Sequence, residues 1–444
     1  MVARLDREKN SMGRKHIYDK DSFYNFLKPL VDWCTKRSYR KIRVYGKENL
    51  PTDGTILLAP NHTNTLMDAL VMLQASCKPT VFGARADMFN KPFIAKLMYF
   101  FRILPMVRQR DGLRNVLKNH ESFNIIVETL ENEVQFCMYP EGRHRPAHSL
   151  LPLGKGVMRA VVAANDKFGD KKPVYIVPVG IEYGDYFRYR STCMVTYGQP
   201  INVTEFIKGR DVENDAQLMD PLRKELRQKM SELITFIPDD ENLAAKWSLT
   251  KILTASFRSS DLRARKDNNQ KSIDAIEAAM TTHPEQMADI LSEAAKFDKD
   301  RRKAKVSIFS FGAKNPMLNA LGKGLLALLG LPYFLFSLVA ALPMWIIALL
   351  LRGKIRDKAF GNTVSFGIKL GLGPIWYPIV FALAFIFAPW QYALGISILA
   401  IPTYNYFYDY TEFARRMFSD FRLSSRKDLI KRFLKIRKSF SELK

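Results

Sequence analysis

Residues 55–68 read TILLAPNHTNTLMD, an apolar run that ends at Pro60 and is followed by a short polar turn. Strands that are buried on both faces have this continuously apolar character, whereas half-exposed strands alternate. The polar residues suit a helix start, with Asn64 or Thr65 as the capping residue. The stretch therefore predicts a strand, a turn and a helix, and it places His62 in the turn, facing a ligand crevice.

Similar short apolar runs lie on both sides of this stretch. They predict strands at residues 42–45, 55–59, 80–83, 133–139, 174–181 and 193–197, each followed by turn residues or a helical pattern. Amphipathic segments between the strands indicate an α/β layer. We assign residues 23–202 to this domain and residues 1–22 to a disordered charged tail, which lacks the apolar centre of a secretory signal.

Residues 203–310 have helical periodicity, many charges and few β-branched runs, which predicts a helical appendage. One apolar face is marked by Leu222, Leu226, Met230, Leu233 and Ile234. The residue types of this segment suggest no chemistry.

Two uncharged runs, 324–351 and 370–408, lie within a region, 311–410, that we predict to be embedded in a membrane. Each exceeds the roughly 18 residues that indicate a membrane segment. Basic residues flank both runs, so two simple spans would carry residues 352–369 across the membrane against the positive-inside rule. We therefore predict that each run enters and returns to the same face, and a bend is tolerated at Pro332 and Pro343.

Residues 411–444 are rich in Lys and Arg, with Leu429, Phe433, Ile436 and Phe440 at helical spacing. This pattern predicts a basic amphipathic helix that lies on anionic membrane lipids. The alternative is a solvated helix whose apolar face packs on the protein.

Lys and Arg outnumber Asp and Glu by 68 to 44, which gives a formal charge of +24 and indicates anionic partners. Nucleic acid is not expected, because the charge clusters beside apolar segments and no nucleic-acid-binding motif accompanies it. The four cysteines lie far apart, which argues against a zinc knuckle, a redox pair or a disulfide scaffold. We therefore expect a reducing, cytosolic environment.

His62 and Asp68 are the candidate catalytic pair. A neutral imidazole can take a proton from an alcohol near neutral pH, and a nearby carboxylate orients the ring and stabilises the cation that forms. Because His62 precedes the predicted helix, the bend at Thr63 and Asn64 must bring the two side chains together. Taken alone, such a pair is structural about as often as it is catalytic.

Three further blocks carry candidate binding residues. Residues 139–145, YPEGRHR, follow an apolar strand and combine a glycine with three basic side chains suited to phosphate. Residues 105–110, PMVRQR, follow a strand with two arginines, and residues 177–179, VPV, interrupt another strand. Separately, these blocks have ordinary interpretations as a solvated loop, surface arginines and an edge proline.

Taken in order, the four blocks resemble the glycerophospholipid acyltransferase family over about residues 49–201. The resemblance implies an α/β acyltransferase domain with a mixed β-sheet flanked by helices, in which His62 is the general base and Asp68 orients it. It also implies a site for the acceptor phosphate, made by Arg108, Arg110, Glu141, Gly142, Arg143, His144 and Arg145.

Two details depart from the usual family pattern. Five residues separate His62 from Asp68 where four are usual, although bacterial members with the form Asn-His-x-Asn-x-x-Met-Asp share the longer spacing. Arg143 and His144 stand where Thr and Arg are common. The spacing leaves the role of Asp68 less certain than that of His62, and the basic residue that meets the phosphate stays open.

We therefore expect a membrane-bound O-acyltransferase whose catalytic domain lies on the cytoplasmic face. The reaction implied moves a fatty acyl group from acyl-CoA or acyl-acyl-carrier-protein to 1-acyl-glycerol-3-phosphate, giving phosphatidic acid. Glycerol 3-phosphate is the alternative acceptor, and a non-catalytic membrane scaffold or lipid-binding protein is the rival of another class. A serine hydrolase or a metalloenzyme is disfavoured, because no Gly-x-Ser-x-Gly motif or metal-ligand cluster stands out. No bound cofactor or metal is expected.

Overall fold

The computed structural model describes residues 15–76, 78–106, 116–208, 210 and 215–443, without the side chains of 116–121 and 215–216. The chain divides into two compact units. The first, here called the sheet unit, runs through Tyr186 and from Ser191 to Ile234. The second, here called the helical unit, comprises Phe187–Arg190 and the chain from Thr235 onward.

The sheet unit is built on one mixed sheet of eight strands within the described residues. The strands are β1 (Lys41–Tyr45), β2 (Thr55–Pro60), β3 (Thr80–Arg85), β4 (Ile103–Met106), β5 (Gln135–Cys137), β6 (Val174–Tyr183), β7 (Thr192–Tyr197) and β8 (Ile201–Asn202). Their order is β1-β7-β6-β2-β5-β3-β4, with β8 beside β6. The predicted α/β fold with a mixed sheet is confirmed, and each of the six predicted strands is present.

Strand β2 lies at the centre of the sheet and runs parallel to β5 and β6. All six of its residues are buried, which explains why the run is apolar at every position. Its last residue, Pro60, pairs with Val179 of β6. Pro178 therefore lies in a central strand, because β6 also pairs antiparallel with β7 and β8.

Seven helices accompany the sheet in the described part of this unit: α1 (Ser22–Ser38), α2 (Leu66–Ala75), α3 (Pro92–Phe100), α4 (Val116–Glu131), α5 (Gly156–Phe168), α6 (Val203–Lys208) and α7 (Asp215–Glu232). The predicted apolar face of α7 is buried at Leu222, Leu226 and Met230. Just beyond α7, a Cβ on Gly180 of β6 would lie 2.6 Å from Cβ of Leu233, so the close approach requires glycine.

The helix α7 belongs to the sheet unit, so the segment predicted as one appendage, residues 203–310, is shared between the two units. The reason is its apolar face, which packs against β6 and α5. Sequence periodicity identified the face but not the surface that covers it.

The helical unit contains nine α-helices among its described residues: α8 (Leu243–Leu253), α9 (Leu262–Thr282), α10 (Pro284–Lys303), α11 (Pro316–Ala340), α12 (Leu342–Lys354), α13 (Gly361–Phe387), α14 (Trp390–Ala400), α15 (Thr403–Ser425) and α16 (Lys427–Ser441). Helices α8, α9, α10 and α16 share one apolar core.

The prediction that the apolar face of the basic tail lies on lipid is wrong. Leu429, Phe433, Ile436 and Phe440 of α16 are all at most 3% exposed and belong to the core shared with α8 and α10. The alternative, a helix whose apolar face packs on the protein, is the one observed. The sequence did not distinguish the two, because protein or lipid can cover an apolar stripe at helical spacing equally well. The first part of the predicted tail, residues 411–425, forms the end of α15.

Among the described residues, two helices are long and apolar enough to cross a membrane, namely Pro316–Ala340 and Lys358–Phe387, the second counted with its preceding turn. Only 17% and 11% of their most apolar windows are buried, unlike the core helices of soluble domains. Within residues 324–351 the helical structure is interrupted at Ala341, two residues before Pro343. Pro332, in contrast, lies inside α11. Helix α14 follows α13 after Ala388 and Pro389 and packs against it. The same-face topology stays a prediction.

Candidate active site

The site begins where β2 ends. The Asn61 side chain donates from Nδ2 to the Ile181 carbonyl at 3.0 Å and accepts from the Ile181 N–H at 2.6 Å. These bonds hold the end of β2 against β6, so His62 is placed at the carboxyl edge of two parallel strands. Crevices at that edge are where open α/β sheets bind ligands.

The chain turns sharply between His62 and α2. Thr65 precedes the helix with a φ of +50°, and no side chain at this position caps the helix. The predicted cap at Asn64 or Thr65 is wrong, because neither side chain bonds the first N–H groups of the helix. Instead, Oδ2 of Asp68 in the first turn accepts from the N–H groups of Thr63 at 2.8 Å and Asn64 at 2.7 Å, which precede the helix. A carboxylate in the first turn also complements the helix dipole.

The same turn brings the predicted pair into contact. His62 Nδ1 lies 2.7 Å from Oδ2 of Asp68. The Asp68 side chain is fully buried, whereas 19% of the His62 side chain is exposed. An ionised carboxylate only accepts, so Nδ1 of His62 donates and Nε2 keeps its lone pair.

Tyr183, at the end of β6, completes the surroundings of Asp68 by donating its hydroxyl to Oδ1 at 2.7 Å. Asp68 thus accepts four hydrogen bonds, from two backbone N–H groups, the Tyr183 hydroxyl and the imidazole of His62. Burial and the neighbouring Asp68 raise the pKa of Tyr183 well above its ordinary value, so the phenol stays a donor. Tyr183 was not predicted as a site residue, although residues 179, 181 and 183 of β6 alternate along the strand and share a face.

Glu141 lies beneath the His62 turn and is 8% exposed. Its Oε1 accepts from the N–H of His62 at 2.8 Å and its Oε2 from the N–H of Leu151 at 2.8 Å. Burial raises the pKa of Glu141, against the effect of these two bonds. Both oxygens are directed at the backbone, so Glu141 positions the His62 turn, which differs from the substrate contact expected for it.

The rest of the 139–145 block lies around the His62 ring. Tyr139 stacks on the ring, with centroids 4.3 Å apart, and the ring of His144 stands edge-on at 5.7 Å. The Arg145 N–H donates to the carbonyl of His62 at 3.0 Å, and Arg143 is exposed. The block therefore places basic residues beside the candidate base.

Gly142 forms the tight turn of this block, with a φ of +65° and its N–H bonded to the Tyr139 carbonyl at 3.1 Å. No atom lies within 4 Å of a Cβ built on it, so the backbone conformation accounts for the glycine and crowding does not. Arg108 and Arg110, the other predicted phosphate ligands, lie outside the described residues.

The described part of the sheet unit is an α/β fold in which Asp68 orients the ring of His62 at the carboxyl edge of the sheet. Residues 41–182 match the protein family described as Acyltransferase, from β1 to the end of β6. This part of the chain is an acyltransferase domain.

Two curated proteins of Saccharomyces cerevisiae are similar in sequence. Glycerol-3-phosphate O-acyltransferase 2 is 26% identical over 128 residues, 29% of this chain. Glycerol-3-phosphate O-acyltransferase 1 is 24% identical over 137 residues, 30% of this chain. The alignments span only 17% and 18% of the two yeast proteins.

A solved structure, that of the 1-acyl-sn-glycerophosphate (LPA) acyltransferase PlsC from Thermotoga maritima, was also matched. It is 20% identical, with a TM-score of 0.34, over 47% of this chain and 78% of that one.

Proposed function

We propose that this protein is a membrane-bound O-acyltransferase that moves a fatty acyl group from an acyl thioester to the free hydroxyl of 1-acyl-glycerol-3-phosphate, giving phosphatidic acid. The observation that carries the proposal is the 2.7 Å contact between His62 Nδ1 and Asp68 Oδ2 inside an acyltransferase domain. That contact leaves Nε2 of His62 as the basic atom.

In the proposed reaction, His62 Nε2 takes the proton of the acceptor hydroxyl as the oxygen attacks the thioester carbonyl. The buried Asp68 carboxylate stabilises the imidazolium that forms, while its other donors hold it in place. Collapse of the tetrahedral intermediate expels the thiolate, which receives the proton from His62. No acyl-enzyme is needed, because the acceptor itself is the nucleophile.

The acceptor phosphate is assigned to the basic residues beside His62. Arg143 is exposed, and His144 lies next to the imidazole ring of His62. Guanidinium groups bind phosphate in paired, charge-assisted hydrogen bonds. A phosphate held by Arg143 or Arg145 would keep the adjacent hydroxyl of the acceptor near His62. The same role is proposed for Arg108 and Arg110.

The monoacyl acceptor is preferred on physical grounds. It is an amphiphile that resides in a bilayer, and two long helices of this chain are apolar and mostly unburied. A catalytic unit on the cytoplasmic side would meet both this lipid and an acyl thioester, carried by coenzyme A or by acyl carrier protein.

Glycerol 3-phosphate is the second candidate acceptor. It is favoured by the names of the two yeast relatives, both of which are glycerol-3-phosphate O-acyltransferases. The chemistry at His62 is the same for both acceptors, since each offers a hydroxyl near a phosphate.

The test uses the full chain in detergent, with thiol release from acyl-coenzyme A as the readout. Lysophosphatidate and glycerol 3-phosphate are offered separately, and acyl carrier protein replaces coenzyme A in a second series. We expect release that depends on lysophosphatidate and is lost in His62→Ala. Release with glycerol 3-phosphate alone would select the second acceptor, and failure of every combination with a folded protein would contradict the proposal.

A further inference from the structure

The helical unit contains a cavity of about 750 Å³ between the end of α10, the segment after it, α11 and α15. None of the residues that line it belongs to the sheet unit. Cavities of this size are typical of sites for small organic ligands. It is therefore a candidate binding site of its own.

The cavity lining is strongly basic. It includes one carboxylate, Glu412, and six cations, namely Arg301, Arg302, Lys305, Arg415, Arg416 and Arg422. The carboxyl end of α10 attracts cations by itself. That effect does not account for the three arginines of α15, which lie on another wall.

The few carboxylates nearby are already shared. Glu412 is 8% exposed and pairs with Arg188 at 2.5 Å, Arg415 at 2.6 Å and Arg416 at 2.7 Å. Asp298 pairs with Arg301, with Arg302 at 2.8 Å and with Lys251 at 2.9 Å. These two carboxylates thus serve four of the six lining cations together with Arg188 and Lys251, which do not line the cavity, so an excess of positive charge is left around it.

The charge excess is also visible at Arg258. Burial lowers the pKa of this guanidinium, and the positive charge of Arg416 lowers it further, although Asp420 raises it in part. An anion bound in the cavity would relieve this repulsion.

The backbone conformation of Lys305 also indicates a binding role for its side chain. It follows α10 with a φ of +55°, while the N–H groups of Lys305 and Val306 bond to the carbonyls of Arg302 and Arg301. This helix-ending arrangement strongly favours glycine. A lysine here costs stability, and such backbone strain is commonly retained where a side chain serves function.

The cavity lining also includes aromatic side chains. Phe334 of α11 stacks on Tyr410 of α15 with centroids 4.2 Å apart, and Phe418 is 49% exposed. Helix α11 is one of the two apolar helices that could span a membrane, and Leu325, Leu328 and Leu329 on it are more than half exposed. The cavity thus joins a basic region to a lipid-compatible helix.

We propose that this cavity binds an anionic phospholipid, with the phosphate between Lys305 and Arg422 and the acyl chains along Phe334 and α11. A free phosphate offers the same headgroup chemistry, but it would leave the aromatic side chains and most of the volume unused. The site is separate from the acyl-transfer residues of the sheet unit.

The experiment titrates the full chain, in uncharged detergent, with phosphatidylglycerol and phosphatidylcholine of identical acyl chains, and counts bound lipids by native mass spectrometry. Lys305→Gln/Arg422→Gln removes two cavity charges. The control, Lys431→Gln/Lys435→Gln, removes two charges from exposed positions of α16 outside the cavity. We expect one phosphatidylglycerol site to weaken about tenfold or more in the cavity variant alone.

A third variant, Lys305→Gly, separates binding from folding. Glycine relieves the left-handed backbone, so its unfolding temperature should rise while phosphatidylglycerol binding weakens. Equal binding to the wild type and both cavity variants would overturn the proposal. Displacement of the lipid by inorganic phosphate at equal concentration would also overturn it, because a free ion would then be the preferred ligand.

Discussion

Asp68 of the sheet unit and Asp298 of the helical unit are both buried carboxylates, 0% and 6% exposed, yet their charges are compensated in different ways. Asp68 accepts from two backbone N–H groups, a tyrosine hydroxyl and His62. Asp298 is paired with three cations. Neutral donors hold a carboxylate without cancelling its charge, so Asp68 can stabilise a cation that forms during a reaction, whereas Asp298 supports cations that are permanent.

The largest effect expected from this contrast is that of His62→Ala. Removal of the base should lower kcat for acyl transfer by about 10²–10⁴-fold, while the unfolding temperature changes little. Thiol-release kinetics and thermal denaturation measure the two quantities. His283→Ala is the control, because this histidine belongs to the helical unit and is not part of the proposed site. An equal loss in both variants would contradict the assignment of His62 as the base.

Asp68→Asn should lower kcat by about 10²-fold. The amide has a single acceptor oxygen, so either the donors on Oδ2 or the Tyr183 hydroxyl face an NH₂ group. The mismatch should also cost about 1–3 kcal/mol of unfolding free energy, measured in denaturant. An Asp68→Asn enzyme with the kcat of the wild type would show that the carboxylate only supports the turn.

Asp298→Asn tests the buried carboxylate of the helical unit, whose charge is compensated by cations. Three cations lose their shared carboxylate, and a loss of about 2–3 kcal/mol of unfolding free energy is expected, less than for a fully buried pair because Arg302 is exposed. Added salt should recover part of the loss. The kcat of acyl transfer should stay within twofold of the wild type, since Asp298 belongs to the helical unit.

The pH dependence of this variant has a defined sign. Burial alone would raise the pKa of Asp298, but Lys251, Arg301 and Arg302 outweigh it and hold the pKa below its ordinary value. A carboxylate with a depressed folded pKa stabilises the fold above its unfolded pKa, and this contribution is lost as pH falls through the folded pKa. The difference between wild type and Asp298→Asn should therefore shrink below about pH 4.

Tyr183→Phe should produce the smallest effect. It removes one of four hydrogen bonds to Asp68 and should cost about 1 kcal/mol of unfolding free energy. A fall of kcat by about fivefold corresponds to the same free energy. Tyr175→Phe, on the same strand but bonded to exposed Asp53, is the control and should leave kcat unchanged.

Much of the sheet unit was predictable because its strands are buried and uninterrupted. The runs at β2 and β6 are apolar over most of their length, and the turn after β2 has polar residues in the order that a helix start requires. The pairing of His62 with Asp68 was a prediction that depended on the bend at Thr63 and Asn64, because the spacing did not fix the distance, and the two side chains lie 2.7 Å apart. Their catalytic role stays a prediction that the variants above test.

The sequence alone determined the α/β pattern, the candidate base and the apolar runs, because burial and turns impose local residue patterns. Only the tertiary structure decided which surfaces meet. It placed Tyr183 against Asp68, turned both oxygens of Glu141 towards the backbone and covered the apolar face of α16 with α8 and α10. A periodic pattern records that a face is buried, but the partner that buries it comes from distant parts of the chain.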